Sequence, residues 1–561
     1  MRIALCSMSC RVAICLLLPL LPISAAPQNP SQLPKIRVSA RLVQLGIIVR
    51  DKNRTVANLT KDDFTVFDRG KPQPISIFSA DAAAATQQPP QQPLPQNVFS
   101  DVPHYGITAP RSITIVLLDN LNTLYGSSPE SQYESTPFWI EDHALQNAKS
   151  HLIEFIKQLP PQDRIAIYGL HHSLYVLCDF TSDRDQLLNI LKNYDAKSIT
   201  NREIVEPGRT AINLSGHDST AENFFRQGSG FDNSASMRLA AGANEERGAE
   251  TMAALQQIAS HVANIPGRKN LVWLTANLPF SGAAMAHVLG PANIAVYPVD
   301  ARGLLPAGFS EQAEIGGNAD ADEVSGAAGH YDNMPGQSQR PIGIATMEKV
   351  AEDTGGKAFV NTNDLTGAIR KAVDDSAVTY TLGFYIDPSA LDGKFHNIKV
   401  EVKGHGLTVR YPRGYFAFPD TEATKNEDQV RLVTAVRSPI ESSSIPLTAR
   451  IDRTDQPPNS LKILCSIDAH DLHLAQSGGE RKGTVEVYII EQDQTGKVIF
   501  QSGKTFTLQF PEQRYPALLK SGILFHEYVQ TQAGATTMRI LVEDPATSDV
   551  GTVIVPMSDV K

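Results

Sequence analysis

The sequence predicts a doubly wound α/β domain flanked by a small N-terminal β unit and a C-terminal β-sandwich. Three observations carry this. First, Ile113-Thr114-Ile115-Val116-Leu117-Leu118-Asp119, Asn270-Leu271-Val272-Trp273-Leu274-Thr275 and Ile294-Ala295-Val296-Tyr297-Pro298-Val299-Asp300 are almost unbroken apolar runs. Such runs read as parallel strands covered on both faces. Second, segments with helical periodicity lie between them, such as Leu145, Ala148, Leu152, Phe155, Ile156 and Leu159. Third, short strands separated by turn residues take over after Asp387, which is a sandwich pattern.

A chain of 561 residues exceeds one ordinary core, so two to four domains are expected. Its 50 basic and 60 acidic residues give a formal net charge of −10, which argues against a nucleic-acid partner. Residues 1–26 read as a signal peptide. Arg2 and Arg11 are basic, 12–21 is a short apolar run, and Ile23-Ser24-Ala25-Ala26 offers small residues for cleavage. No later segment is long and apolar enough to span a bilayer. The mature chain is therefore expected to be extracytoplasmic, periplasmic or secreted; a retained anchor is the alternative. Cys6, Cys10 and Cys15 fall in the signal, while Cys178 and Cys465 fall in different domains and are expected as buried free thiols.

The elements follow in order. Residues 27–80 form the small N-terminal β unit, beginning with a Pro- and Gln-rich stretch that reads as disordered. Its strands are separated by turn chemistry at Asp51-Lys52-Asn53-Arg54 and Asp68-Arg69-Gly70-Lys71-Pro72. Residues 81–110, rich in Ala, Gln and Pro, read as a linker. Residues 111–390 hold the α/β alternation. Within them 164–170 and 174–178 read as strands joined at an exposed His171-His172-Ser173 turn. Residues 201–247 read as a polar insertion, and a helix returns with Leu255, Ile258, Val262 and Ile265. Residues 304–340 read as a long loop, and a strand at 380–386 ends the alternation. In 391–420, Lys403-Gly404-His405-Gly406 predicts a β-hairpin extension. Residues 421–561 read as the β-sandwich.

Several motifs in this order resemble the acidobacterial von Willebrand factor A-related (VWFA-related) family. They are Leu59-Thr60-Lys61-Asp62-Asp63-Phe64, Leu118-Asp119-Asn120-Leu121-Asn122-Thr123, Pro266-Gly267-Arg268-Lys269-Asn270-Leu271-Val272-Trp273, Tyr297-Pro298-Val299-Asp300-Ala301-Arg302-Gly303 and Thr354-Gly355-Gly356-Lys357-Ala358-Phe359. Tyr380-Thr381-Leu382-Gly383-Phe384-Tyr385 and Asp392-Gly393-Lys394-Phe395-His396 extend the likeness, which covers about 36–418. The resemblance implies a type A fold and a divalent cofactor, Mg²⁺ or Ca²⁺, at the carboxyl edge of the sheet. The family motif there is Asp-x-Ser-x-Ser, with a Thr and an Asp from later loops. Mg²⁺ takes six oxygens, and an open position admits a partner's carboxylate.

The match is partial, so the implied site is degenerate. Asp119 and Thr123 are the metal candidates. Leu121 stands where the first Ser belongs, and Ala276-Asn277 where the later Asp belongs. Thr210 and Thr251 are candidates for the distant Thr. Asp119, Asn120, Asn122, Thr123 and Asn277 are the candidate partner-binding residues. Elsewhere, Asp320-Ala321-Asp322-Glu323 reads as a solvated acidic loop, Gly355-Gly356 as a helix C-cap, and Asp300 as a strand-end residue near the same sheet edge, either lining the pocket or standing beside a tight turn without a function. No catalytic motif stands out, so no enzyme is expected. The expected function is an extracytoplasmic adhesion, protein-binding or scaffold protein with a protein partner. The alternatives are a cell-surface hydrolase with an unrecognised active site and a purely structural envelope component.

Overall fold

The computed structural model describes residues 41–52, 54–82, 94–102, 113–123, 138–160, 163–194, 235–279, 282–304, 343–375, 378–417, 425–454 and 458–561. The signal segment, Thr210 and the Asp320–Glu323 stretch lie outside them. The described chain opens with β1 (Arg41–Asp51), β2 (Arg54–Thr55), β3 (Phe64–Asp68), β4 (Lys71–Gln73), β5 (Ile77–Ala82) and β6 (Val98–Ser100). Next come β7 (Ile113–Asp119), α1 (Phe138–Ile156), β8 (Arg164–Leu170), β9 (Leu174–Thr181) and α2 (Arg184–Asn193). They are followed by α3 (Ala235–His261), β10 (Lys269–Thr275), α4 (Gly282–Leu289), β11 (Ile294–Asp300), α5 (Ile344–Thr354) and α6 (Leu365–Asp374).

The central sheet runs in the order β11-β10-β7-β8-β9, parallel except for β9 at one edge. Strands β7, β10 and β11 are buried along their whole length. Their side chains alternate between two cores. Val116, Leu118, Val272 and Leu274 pack under α1, α2 and α6. Ile115, Leu117, Leu271 and Trp273 pack under α3, α4 and α5. Helices therefore cover both faces, which is the doubly wound arrangement the apolar runs imply. One expectation needs correction. Helix α3 starts at Ala235, inside the segment read as an insertion. Residues 235–247 are rich in helix formers such as Ala, Met, Leu, Glu and Arg but lack an apolar stripe, so periodicity did not mark them.

The flanking β regions are more interwoven than the sequence suggests. After α6 come β12 (Val378–Ile386), β13 (Phe395–Val402), β14 (Leu407–Arg410) and β15 (Gly414–Phe416). Strand β12 does not join the central sheet; it lies antiparallel between β1 and β5. Strand β14 pairs with β1, and β13 lies between β3 and β15. One core, with Leu45, Ile47, Phe64, Tyr380, Phe384 and Ile398, serves the N-terminal strands and residues 378–416 together. Roughly 45 residues seldom support a core alone, so the N-terminal strands recruit the later ones. The 403–406 turn, with Gly404 and Gly406 at positive φ, joins strands of different sheets rather than a hairpin.

Buried ionic contacts fasten this β body to the α/β domain. Arg268, just before β10, donates to Gly46 O on β1 (2.9 Å), to Gly355 O at the end of α5 (2.5 Å) and to Tyr297 Oη on β11 (3.2 Å). Asp375, capping α6, pairs with Arg410 on β14 (2.6 Å) and with Arg50 on β1. Gly355 adopts φ 76° as the α5 C-cap, the role expected of it.

The C-terminal region holds α7 (Lys425–Arg437), β16 (Leu447–Thr454), β17 (Ser460–Ile467), β18 (Ala475–Ser477), β19 (Glu480–Gln492) and β20 (Val498–Pro511). It ends with α8 (Tyr515–Ser521), β21 (Ile523–Gln530), β22 (Thr537–Asp544) and β23 (Asp549–Pro556). Two sheets, β21-β17-β16-β6 and one built on β19, β20, β22 and β23, enclose a shared apolar core. Strand β6 comes from the segment read as a linker. Cys178 and Cys465 are both buried and free, as expected.

The sandwich meets the α/β domain through a polar relay in which His261 is buried and Asp179 is exposed. His261, at the end of α3, places Nδ1 2.8 Å from Glu441 O and Nε2 3.4 Å from Asp179 Oδ1. Tyr168 donates to the same Asp179 oxygen, and Ser443 N donates to Ser260 O. Burial pushes the Glu441 carboxyl up to about 7. Burial opposes charge on His261 too, but the Asp179 hydrogen bond and carboxylate leave its pKa raised. A raised Glu pKa means that stability falls as pH rises from 4.5 towards 7; a raised His pKa means that stability present below 6.5 is lost above it. Asp179, its pKa lowered, opposes this only at strongly acid pH. The melting temperature is therefore expected to fall between about pH 5 and about pH 7, and Glu441→Gln to flatten the slope. Calorimetry across that range tests it, and equal slopes in both proteins would refute the assignment.

Candidate functional site

Strand β7 delivers Asp119 to the carboxyl edge of the central sheet, where a doubly wound fold places its ligands. The chain turns there because Asn120 N and Leu121 N both donate to Leu170 O of the neighbouring strand. Asp119 is fully buried. Its Oδ1 accepts from Asn122 N (2.9 Å), and its Oδ2 from Asn122 Nδ2 (2.9 Å) and Trp273 Nε1 (2.8 Å). Burial raises the carboxyl pKa, against the opposing pull of Asn122, Trp273 and Thr275. The indole N–H comes from the middle of β10 and reaches the carboxylate across the strand pair.

The remaining candidates form the rest of this cluster. Asn122 Nδ2 also donates to Thr251 Oγ1 (3.1 Å), and Thr251 donates to Arg247 O (2.7 Å). Thr251, proposed for the distant loop, therefore lies at the site. Thr123 Oγ1 accepts from Ala276 N (3.1 Å). Asn120 Oδ1 accepts from Tyr194 Oη (3.1 Å), which lies 3.0 Å from Tyr175 Oη. Asn277 Oδ1 accepts from Leu278 N (2.8 Å), and a Cβ on Gly343 would come within 2.9 Å of that oxygen. Asp300 caps its own turn through Arg302 N and the Arg302 guanidinium. His172 is exposed beside Glu250, but His171 is buried, a correction to the exposed pair read from the turn.

This donor set does not fit a divalent ion. Mg²⁺ and Ca²⁺ take six or more oxygens and no N–H groups. Three N–H donors instead converge on the Asp119 carboxylate, and a fourth occupies the Thr123 hydroxyl oxygen. Asn122 Oδ1 is a buried acceptor with no hydrogen-bond partner among the described residues, one neutral oxygen where several are needed. Among the described residues no group of three His, Cys, Asp or Glu side chains could hold a metal. The arrangement neutralises a buried carboxylate with hydrogen bonds, as a buried charge requires.

The same geometry corrects the partner-binding expectation. Asp119, Asn120, Asn122 and Thr123 are all buried, so only half-buried Asn277 of the five presents any surface. Sequence reasoning missed Trp273, whose signal was available. A Trp inside a fully buried strand needs an acceptor for its indole N–H, and a strand-end Asp on the adjacent strand supplies one.

No family model and no curated protein matches the chain. Among solved structures it is similar to an aerotolerance-related membrane protein from Bacteroides fragilis, at 11% identity and TM-score 0.24, over 47% of this chain and 98% of that one. It is similar to the conserved hypothetical protein BatB from Bacteroides thetaiotaomicron, at 13% identity and TM-score 0.24, with the same coverage. It is also similar to mussel byssus proximal thread matrix protein 1 with a zinc-occupied MIDAS motif, at 9% identity and TM-score 0.25, over 48% of each chain. Likenesses at these TM-scores carry no argument; the α/β assignment rests on the sheet order and the two helical layers. No helix of the described residues is long and apolar enough to cross a membrane.

Proposed function

We propose that the chain is a secreted or periplasmic scaffold that binds a protein partner, built on a von Willebrand factor A-like domain that works without metal. The observation that carries this reading is the state of Asp119. It is fully buried and receives N–H bonds from Asn122 and Trp273 at the place where the family's cation would sit. A carboxylate held this way serves to lock the β7 turn onto β10, not to bridge to an incoming acidic group. Partner contact then falls to the rim, where Asn277 is the accessible member of the candidate set. The polar segments 201–234 and 305–342 are the further candidates, the second following β11 directly in sequence.

Calorimetric titration of the purified chain with Mg²⁺, Mn²⁺ and Ca²⁺ tests the proposal, with Asp119→Ala alongside. The expected result is no saturable heat for any of the three ions. Saturable binding lost in Asp119→Ala would restore a metal-dependent adhesion site and overturn the metal-free reading.

A further inference from the structure

The sandwich carries an unprotected sheet edge whose side-chain pattern is complementary to itself. Strand β21 is the last strand of its sheet and, among the described residues, pairs only with β17. The register with β17 is unbroken over eight residues, from Ser460↔Gln530 to Ile467↔Ile523. Natural edge strands are commonly blunted by Pro, charged side chains, a bulge or very short length. Ile523-Leu524-Phe525-His526-Glu527-Tyr528-Val529-Gln530 has no Pro, Lys or bulge, and its single carboxylate lies on the core-facing side. Its one formal charge, Glu527, is paired with Lys504 at 2.6 Å.

The outward face of this edge carries an apolar cluster among polar residues. Leu524 is 61% exposed and Tyr528 47%, and Leu464 of β17, opposite His526, is 39% exposed. Three of the seven exposed large apolar residues among those described thus meet on one side of one edge. Clustered exposed apolar surface of this kind marks an interaction site.

Register arithmetic favours a second copy of the same strand as the occupant. If β21 pairs antiparallel with a second β21 about a two-fold axis at His526, Leu524 faces the partner's Tyr528 and Tyr528 faces the partner's Leu524. His526 then faces its own copy. The two outward pairs flanking the axis each join Leu524 to Tyr528, an apolar–aromatic contact, and no carboxylate or ammonium groups oppose each other on that face. A two-fold contact of this type would join two four-stranded sheets into one continuous sheet. We propose that β21 is a homodimerisation edge and that its partner is a second copy of this chain, paired antiparallel about His526. This inference is independent of the reading of Asp119, since it uses none of the residues at that site.

Sedimentation velocity on the purified chain over a concentration series is the first measurement. A monomer–dimer equilibrium is expected, and His526→Glu, which sets two carboxylates face to face on the axis, should shift it to monomer. The side chain is exposed, so circular dichroism should match the parent. His526→Cys supplies the positional test: under mild oxidation it should give a disulfide-linked dimer, whereas Gln530→Cys should not, because residue 530 lies away from its own copy. A monomer at every concentration, a dimer indifferent to His526→Glu, or cross-linking at 530 in preference to 526 would each overturn the proposal. A chain that stays monomeric yet captures a synthetic strand peptide would also overturn it, in favour of a heterologous partner.

Discussion

Trp273→Ala is expected to destabilise the chain by about 3–5 kcal/mol, the range for truncating a large buried aromatic, with a further loss because Asp119 keeps its burial and loses a donor. Trp273→Phe separates the two contributions. It retains most of the ring volume between Leu117 and the helices on that face, yet removes the N–H that reaches Asp119 Oδ2. Loss of a hydrogen bond to a charged acceptor costs about 1.5–3 kcal/mol. Asp119→Asn should act in the same direction, because one carboxylate oxygen becomes an NH₂ facing N–H donors. A double-mutant cycle of Trp273→Phe with Asp119→Asn, read by urea midpoints, should show strong coupling. Additive effects would mean that the indole and the carboxylate do not act as a pair.

Arg268→Ala should be the second large effect. The guanidinium is buried and serves acceptors on three elements: Gly46 on β1, Tyr297 on β11 and Gly355 after α5. Removing it strands two buried carbonyls and opens space between the β body and the α/β domain. Breaking a buried ionic or hydrogen-bonded network from one side typically costs about 3–5 kcal/mol. Arg268→Lys should recover little, because a single ammonium cannot reproduce a planar fork that reaches separate acceptors. Calorimetry gives a second readout. Loss of the fastening is expected to split the unfolding of the β body from that of the α/β domain. An unchanged single transition at the parental temperature would show that Arg268 does not couple them.

The central domain was legible because double coverage leaves a mark that cannot be missed. Strands β7, β10 and β11 are buried at every register position and mostly apolar, and the helices between them carry stripes. The flanks were less legible for a related reason. Thr379, Tyr380, Thr381, Leu382 and Phe384 of β12 are also buried, so burial alone placed that strand with the parallel ones. A run of apolar residues records how deeply a strand is buried, not which strand lies beside it. The short β6 carried no signal, since three half-buried residues after a Pro-rich stretch look like linker.

The candidate residues lie together in the fold, in a hydrogen-bonded state that the sequence does not display. Asp119 and Thr123 do sit at the sheet edge, and Thr251 does reach Asn122. Their burial and the indole donor depend on neighbours far away in sequence, such as Trp273, 154 positions from Asp119. A list of ligand types in order along the chain cannot show that N–H groups already surround the oxygens.

The partnership of β1 with β12 has a consequence for how the chain comes into being. The backbone of Leu59 meets Tyr380 Oη across 321 positions of sequence, and Ser100 meets Leu447 across 347. Apart from the short local pairings of β1 with β2 and β3 with β4, the first strands made must therefore wait for their partners until about three hundred further residues have emerged. Contacts so distant in sequence slow folding and keep early strands exposed to the wrong neighbours. For a protein read as exported, that delay keeps the early strands free to pass a membrane before they close. Once closed, the same stitching should hold the two halves of the chain together after a protease cuts anywhere within 305–342, because β1 and β12 grip each other on either side of the break.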